Sequence, residues 1–151
     1  MDLDPREYPD RPWVGIGAVV FRGDDVLLVR SNKGSRRGQW SIPGGAQSAG
    51  ETIYETAIRE VREEAGIEIV PEGIVTAVDS IRRDGEGRVR FHFTLIDVLA
   101  EWREGELIAG DDADMAEWVP AARFADLKLW SETIRVIELA RAMRKDGSRG
   151  L

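Results

Sequence analysis

The stretch from Val89 to Leu99 constrains the fold more than any other part of the sequence. Its apolar residues fall on both faces of an extended chain: Phe91, Phe93 and Leu95 on one, Ile96 and Val98 on the other. A strand with apolar residues on both faces is typical of the centre of a sheet that is covered on both sides. We therefore expect an α/β protein in which helices flank a sheet.

Further strands are predicted where short apolar or alternating runs lie between turn signals. These runs are residues 13–21, 26–30, 40–42, 67–70, 74–81 and 117–119. Gly23-Asp24 and Asp84-Gly85 are predicted to be turns between neighbouring strands. Pro43-Gly44-Gly45 is expected to break regular structure, because proline and glycine disfavour it.

Two helices are predicted from apolar residues that recur at helical spacing. The first has clear ends, because Thr52 can form a capping box with Glu55 and Gly66 suits the left-handed position that ends helices. Its apolar stripe consists of Ile53, Ala57, Val61 and Ala65. The second helix is expected to run from Ser131, a candidate N-cap, to about Arg144.

The bulk properties of the 151-residue chain predict one domain, residues 1–151, with residues 1–12 as a loose N-terminal arm and residues 145–151 as a frayed tail. A net charge of −7 argues against sequence-independent binding of nucleic acid, which depends on clustered Lys and Arg. No apolar run approaches the roughly 18–20 residues of a membrane helix. We expect a cytoplasmic protein with neither nucleic acid nor membrane as a partner. The absence of cysteine excludes disulfides and thiolate metal sites.

Three carboxylates of the first helix lie on one face, because Glu60, Glu63 and Glu64 are three and four residues apart. Such like charges repel by about 0.2–0.5 kcal/mol for each pair. A hard divalent cation such as Mg²⁺ would turn this repulsion into coordination. The alternative is a surface helix held by ion pairs, in which Arg59 faces Glu55 and Glu63. Spacing alone leaves both alternatives open.

The whole segment 45–67 favours the metal site. It reads G-x5-E-x7-R-E-V-x-E-E-x-G-I, with Gly45, Glu51, Arg59, Glu60, Val61, Glu63, Glu64, Gly66 and Ile67 at the fixed positions. This pattern resembles the Nudix box of the Nudix hydrolase family, and the order of elements over about residues 13–144 resembles the Nudix fold. The resemblance implies an α/β/α sandwich with a central mixed sheet. It also implies hydrolysis of a nucleoside diphosphate linked to another moiety X.

The same resemblance implies a set of metal ligands. Glu60 and Glu64 would be the principal ligands, Glu63 would ligate a metal or orient its water, and the carbonyl of Gly45 would complete the coordination. The implied cofactor is Mg²⁺, with Mn²⁺ as the alternative and more than one ion per site. Such cations neutralise the diphosphate and lower the pKa of the water that attacks phosphorus.

The resemblance leaves the general base open, because family members place it within the box or on a later loop. Glu63 is the first candidate, while Arg59 would pair with Glu51 or Glu63 and fix the carboxylate geometry. The loop candidates are Asp111, Asp112 and Asp114. Acids beside a glycine are, however, more often simply part of a turn.

Residues that read the substrate are expected outside the box. Arg30 and Arg37 belong to a basic loop that could contact phosphate, although charged loops are more often merely solvated. Trp13 is a candidate for stacking on a base, although most aromatic residues serve packing. His92 is the single histidine of the chain, and a lone histidine is more often a structural residue than a catalytic one.

The general pattern of the chain resembles that of short bacterial ADP-ribose pyrophosphatase-like Nudix proteins, so ADP-ribose or a related nucleotide sugar is the first predicted substrate. The second is a (deoxy)nucleoside triphosphate such as 8-oxo-dGTP, cleaved to the monophosphate and pyrophosphate. A third hypothesis is a module that senses a nucleotide without cleaving it. Such modules usually lose box carboxylates, and this chain keeps all of them. Relatives of this kind are often dimers, so a homodimer is one expected assembly.

Overall fold

The computed structural model of the protein describes residues 4–110 and 112–146. Its strands are β1 (Trp13–Arg22), β2 (Asp25–Ser31), β3 (Trp40–Ser41), β4 (Gly44–Ala46), β5 (Glu68–Arg83), β6 (Val89–Glu104) and β7 (Ala113–Val119). The helices are α1 (Ile53–Ala65) and α2 (Ser131–Asp146), with short 3₁₀ helices at Gly34–Arg36 and Ala121–Leu127. Within these residues, no helix is long and apolar enough to cross a membrane.

The strands form one mixed sheet. Its main order is β3-β2-β1-β6-β5, with β4 paired to β1 and β7 paired to β2. β1 and β6 run parallel from Trp13 opposite Phe93 to Phe21 opposite Glu101, whereas the other pairs are antiparallel. The long β6 therefore lies between β1 and β5, which confirms the central strand predicted from its two apolar faces.

The two helices cover opposite faces of this sheet, which we call the α1 face and the α2 face. On the α1 face, Val61 of α1 belongs to the same buried cluster as Val98 of β6. On the α2 face, Ile137 of α2 belongs to the same buried cluster as Leu99. Neighbouring residues of β6 thus serve two separate cores, and the predicted α/β/α arrangement with a mixed sheet is confirmed.

Two predictions of local structure were wrong in their limits. The turn expected at Pro43-Gly44-Gly45 contains β4 instead, because Gly44 approaches β1 so closely that a Cβ there would meet the Ile16 carbonyl oxygen. The two strands expected over residues 67–81 form the single strand β5. A shift in register between Pro71 and Gly73 accommodates the proline, which cannot donate to the ladder.

Both ends of the described part of the chain differ from the expectation of a loose arm and a frayed tail. The Tyr8 N–H donates to the Arg90 carbonyl at 2.8 Å, and the Tyr8 hydroxyl donates to Asp84 at 2.9 Å. These bonds hold the middle of the arm, which was expected to be loose, against the turn between β5 and β6. At the other end α2 continues to Asp146, two residues into the expected tail. Basic residues in a last turn favour such extension, and residues 147–151 lie outside the described part.

Candidate active site

Helix α1 begins and ends where its sequence signals predict. The Thr52 hydroxyl accepts from the Glu55 N–H at 3.1 Å, and the Glu55 carboxylate accepts from the Thr52 N–H at 2.8 Å. Gly66 follows the helix with φ 72° and ψ 15°, a left-handed conformation that glycine adopts without strain. Val61 is buried against the sheet, which fixes the rotation of α1. The polar face of this helix is therefore directed to β4.

Arg59 connects the carboxylates at the start of this face. Its guanidinium donates to Glu51 at 2.6 and 3.0 Å, to Glu60 at 2.8 Å and to the Ala46 carbonyl at 3.1 Å. A longer contact of 3.3 Å reaches Glu63. The hydrogen bonds from Arg59 hold the pKa of Glu51 at about 2. Arg59 therefore pairs with both Glu51 and Glu63, which were predicted as alternative partners. Glu55, which the ion-pair interpretation placed opposite Arg59, is engaged in the capping box instead.

Gly45 leaves the space that Glu60 occupies. A Cβ on Gly45 would collide with all three carboxyl atoms of Glu60, and the Glu60 side chain is only 14% exposed. Burial raises the pKa of Glu60, although Arg59 opposes the shift. Gly45 therefore lets the buried Glu60 carboxylate lie directly against the backbone of β4, where the Cβ of any other residue would collide with it.

Glu64 approaches the same loop from the next turn of α1. Its carboxylate accepts a hydrogen bond from the Gly44 N–H at 2.9 Å. Burial raises the pKa of Glu64 to about 8, with further repulsion from Glu60 and Asp112, while the Gly44 hydrogen bond acts in the opposite direction. Near neutral pH, in the absence of a cation, this carboxyl is held largely protonated.

Glu63 lies at the rim of the cluster, and its side chain is 47% exposed. As they stand, the carboxylates of residues 4–110 and 112–146 do not include three that converge tightly enough to enclose an ion. The reason lies in their present partners, because Glu60 is turned to Arg59 and Glu64 to the Gly44 N–H.

The loop before β7 is docked onto the end of α1. Ile108 N–H donates to the Ala65 carbonyl at 2.9 Å, and Gly110 N–H donates to the Glu64 carbonyl at 3.1 Å. These bonds satisfy carbonyls that a helix end leaves free. The docking brings Asp112 close enough to repel both Glu60 and Glu64.

The three acidic candidates have different fates, and Asp114 lies within β7 rather than in the loop before it. Asp112 lies near the box carboxylates and forms an ion pair of 2.5 Å with Lys33. Asp114 is engaged with Arg30, which donates to it at 2.8 and 3.0 Å. Asp111 lies outside the described residues. The loop therefore brings Asp112, rather than Asp114, to the cluster.

The substrate candidates do not form one surface. Arg30 forms an ion pair with Asp114. The hydrogen bond from Arg30 and the charge of the exposed Arg37 both lower the pKa of Asp114. Trp13 is 38% exposed and lies opposite Phe93. His92 is the neighbour of Phe93 along β6 and therefore points to the other face of the sheet. Trp13 and His92 cannot both line one pocket on a single face.

Trp13 also lines a cleft of about 490 Å³ between the N-terminal arm and the loop that follows β4. The loop contributes Gln47, Ser48 and Ala49, and the arm contributes residues between Pro5 and Pro12. This loop follows Ala46, the last residue of β4, so the cleft begins two residues after Gly45 in the chain.

Two contacts at the site involve residues that sequence reasoning missed. Gly44 was assigned to a break, and its N–H bond to Glu64 depends on the pairing of β4 with β1, which no local pattern reveals. Lys33 was not singled out although it belongs to the same basic loop as Arg30 and Arg37, and its pairing with Asp112 joins segments about 80 residues apart in the chain. The pattern of basic and acidic loops was visible, but the pairing between them was not.

Comparison with known proteins supports the same assignment. A family model described as NUDIX domain matches residues 11–140. An ADP-ribose pyrophosphatase of Methanocaldococcus jannaschii is 32% identical over 107 residues, which are 71% of this chain and 61% of that protein. A human 8-oxo-dGDP phosphatase is 32% identical over 143 residues, which are 92% of this chain and 42% of that protein. The chain thus spans about two to three fifths of the length of these relatives.

Solved structures agree with this result. The crystal structure of a MutT NUDIX hydrolase from Burkholderia pseudomallei superposes with a TM-score of 0.71 and 25% sequence identity, covering 86% of this chain and 98% of the other. With the family model matching most of the sequence and the box residues gathered at one loop, the chain belongs to the Nudix family.

Proposed function

We propose that this protein is a pyrophosphohydrolase that uses Mg²⁺ to hydrolyse a nucleoside diphosphate linked to another moiety, with ADP-ribose or a similar nucleotide sugar as its first candidate substrate. One observation carries the proposal. Glu60 and Glu64, two carboxylates whose pKa values are raised chiefly by burial, meet at the Gly44–Gly45 loop. Buried like charges without a cation are unfavourable, so this arrangement suits a site that binds one.

The residues present fit a hard divalent cation. Glu60 and Glu64 offer carboxylate oxygens, which Mg²⁺ and Mn²⁺ prefer, and Gly45 leaves the space through which Glu60 reaches the loop. Glu63, at the exposed rim, would complete the set. When bound, the cation would neutralise the diphosphate and lower the pKa of the attacking water. More than one ion per site stays a prediction.

The backbone ligand is better assigned to Gly44 than to Gly45. Two residues before Gly45, the Pro43 carbonyl accepts from the Ala18 N–H, and two residues after it, the Gln47 N–H donates to the Val14 carbonyl. The alternation of an antiparallel pair therefore commits Gly45 to Ile16. Gly44 lies between these bonded positions and directs its N–H to Glu64. We infer that the carbonyl of Gly44 is the oxygen left free for a cation, while Gly45 is needed for its missing side chain.

Arg59 would act by positioning. It holds Glu51 and Glu60 at opposite ends of one guanidinium, and this limits the directions in which Glu60 can turn. A planar fork with several donors fixes two carboxylates at once, which an ammonium group cannot do. Glu51 itself is tied to the loop by the Ser48 N–H at 3.0 Å and by the Thr56 hydroxyl at 2.9 Å. The loop and the helix are therefore held as one unit.

Glu63 remains our first candidate for the general base. It is the most exposed of the three box carboxylates, and its one contact in the described residues is a long one to Arg59. Asp112 is the second candidate, because it lies near Glu60 and Glu64. It ranks below Glu63 because it is already paired with Lys33. A Glu63→Gln variant that loses the rising limb of the pH–rate profile would support the first assignment. The same loss in Asp112→Asn alone would support the second.

A second candidate substrate is an oxidised purine nucleotide of the 8-oxo-dGTP type. The observation that favours it is the 92% of this chain aligned with the human 8-oxo-dGDP phosphatase. A module that senses nucleotides without hydrolysis is a weaker candidate, because all the box carboxylates are kept. The cytoplasmic location and the homodimer stay predictions.

The proposal is tested by offering Mg²⁺ or Mn²⁺ with a panel of nucleoside diphosphate derivatives and triphosphates. We expect AMP and ribose 5-phosphate from ADP-ribose, whereas pyrophosphate from a triphosphate would favour the second candidate. Glu64→Gln should lose most of the rate. Glu68→Gln is the matched control, because Glu68 pairs with Arg62 outside the cluster. Equal loss in both variants, or turnover of no compound in the panel, would count against the proposal.

A further inference from the structure

A second buried carboxylate lies on the other face of the sheet. Asp97 of β6 is 5% exposed, yet within the described residues no hydrogen bond reaches its side chain. Burial raises the pKa of Asp97 to about 6, with Arg135 of α2 acting in the opposite direction, so the group is mainly ionised at neutral pH. An ionised carboxylate with no donor is costly inside a protein. Packing alone therefore does not explain why an aspartate occupies this buried position.

The position of Asp97 depends on a glycine in the neighbouring strand. Asp97 lies opposite Gly17 of β1, and a Cβ on Gly17 would collide with the Asp97 carboxylate and come within 2.9 Å of Ile42. Gly15 does the same for Leu95, whose side chain would lie 2.8 Å from an added Cβ. The two glycines therefore let the β6 side chains lean over β1 and form a shallow floor on the α2 face.

This floor and the box carboxylates lie on opposite faces of the sheet and are linked through the pairing of β1 with β4. Gly17 pairs with Gly44 on its other side, and Gly44 donates to Glu64. Adjacent strands lie about 4.8 Å apart, so the backbones of Asp97 and Gly44 are separated by roughly 10 Å. Farther along β1 on the α2 face, Trp13 lies opposite Phe93. Trp13 with Phe93, the apolar floor and the carboxylate of Asp97 thus follow one another along the α2 face, about two strand spacings from the backbone of Gly44.

The carboxylate oxygens of Asp97 are not completely sealed from solvent. The side-chain polar atoms of the described residues that are both sealed from solvent and without a partner are Asn32 Oδ1 and Arg141 Nη2. The unpartnered oxygens of Asp97 therefore keep a narrow opening. Among the described residues, the charge that lowers the pKa of Asp97 is that of Arg135, an exposed residue of α2 that forms its ion pair with Glu132.

We propose that Asp97 is a specificity-determining residue that accepts a hydrogen bond from the exocyclic amino group of the substrate's nucleobase. This inference rests on the proposed function, because it takes the diphosphate to lie at the box carboxylates and the nucleobase of the same substrate to lie at Asp97. A carboxylate accepts and does not donate when ionised. It therefore matches adenine or guanine better than bases that present only carbonyl or unsubstituted positions at that edge.

The test compares nucleotides that differ by one amino group. Binding of AMP and purine riboside monophosphate, and of GMP and IMP, is measured by calorimetry in EDTA, where no turnover occurs. We expect at least one pair to favour the amino-bearing nucleotide by about 10- to 100-fold, the range for a hydrogen bond to a charged group. In Asp97→Leu, which is similar in size and suited to a buried position, the preference should fall to within about twofold.

Further variants separate the possible causes. Arg135→Gln should keep the preference, because the arginine does not contact the base. Glu64→Gln should keep it as well and lose only catalysis, so failure of the proposed function and failure of this inference are distinguishable. If Asp97→Leu does not fold, Asp97→Ala, which also removes the acceptor, and the wild-type comparison still test the inference. Equal affinity within both pairs for the wild type, or an unchanged preference in either Asp97 variant, would overturn it.

Discussion

Replacing Arg59 by methionine tests whether this side chain holds the box together. The guanidinium donates two hydrogen bonds to Glu51, one to Glu60 and one to the Ala46 carbonyl, at distances of 2.6–3.1 Å. A hydrogen bond to a charged group contributes about 1.5–3 kcal/mol when buried and much less in solvent. With Arg59 30% exposed, we expect Arg59→Met to lower the free energy of unfolding by about 2–4 kcal/mol in total. For a domain of this size that corresponds to roughly 5–15 °C in Tm.

The same helix offers a matched control. Arg62 donates to Glu68 at 2.6 and 2.7 Å, but its side chain is 57% exposed. Arg62→Met should therefore cost less than about 1 kcal/mol, although its hydrogen bonds are as short. Thermal and urea unfolding of both variants measure the difference. The reasoning is refuted if Arg59→Met is no less stable than Arg62→Met, because burial of the network would then contribute nothing.

Three further predictions concern the same segment. Because the folded pKa of Glu64 is raised to about 8, the metal-free protein should lose stability as pH rises from about 5 to 8; Glu64→Gln should remove part of that slope in unfolding measured in EDTA, and an identical slope would contradict the prediction. Gly45→Ala should displace Glu60 and cut the hydrolysis rate at least about tenfold, whereas Gly85→Ala, which meets no atom within 4 Å, should match the wild type. Thr52→Ala should cost about 1 kcal/mol of unfolding free energy through the lost cap, measured by urea unfolding; no loss would argue that the cap is not needed.

Helix α1 could be predicted closely because its determinants are local. The capping box of Thr52 and Glu55, the left-handed Gly66 and the four-residue apolar repeat all lie within 15 residues, and each acts on its immediate neighbours. The order of the box carboxylates follows from the helical period alone. These features depend little on what the rest of the chain does.

The position of Gly44 could not be predicted, because it depends on strand pairing. β4 has three residues and no apolar alternation, so its sequence indicates a turn. The strand forms because Ile16 and Gly17 of β1 present free backbone groups beside it. Register between distant segments is set by the assembled sheet, and a single sequence shows only its local patterns.

Asp97 shows a different limit. In the sequence it is one acid within an apolar run, and such an acid at a strand position would ordinarily be assigned to the solvated face. The two apolar faces of β6 indicated a covered strand, but not that a carboxylate would lie beneath Ile42 and opposite Gly17. The glycines of β1 carried the signal, since two glycines in a strand indicate that something approaches closely.

The most direct measurement is hydrolysis of ADP-ribose, or of whichever panel compound turns over fastest, in ¹⁸O-labelled water with Mg²⁺, for the wild type and Glu64→Gln. The account predicts one ¹⁸O atom in a phosphate product, because water attacks phosphorus, and a loss of at least about 100-fold in the variant. Label in the sugar hydroxyl would contradict attack on phosphorus. A Glu64→Gln rate equal to that of the wild type would contradict the assignment of the site.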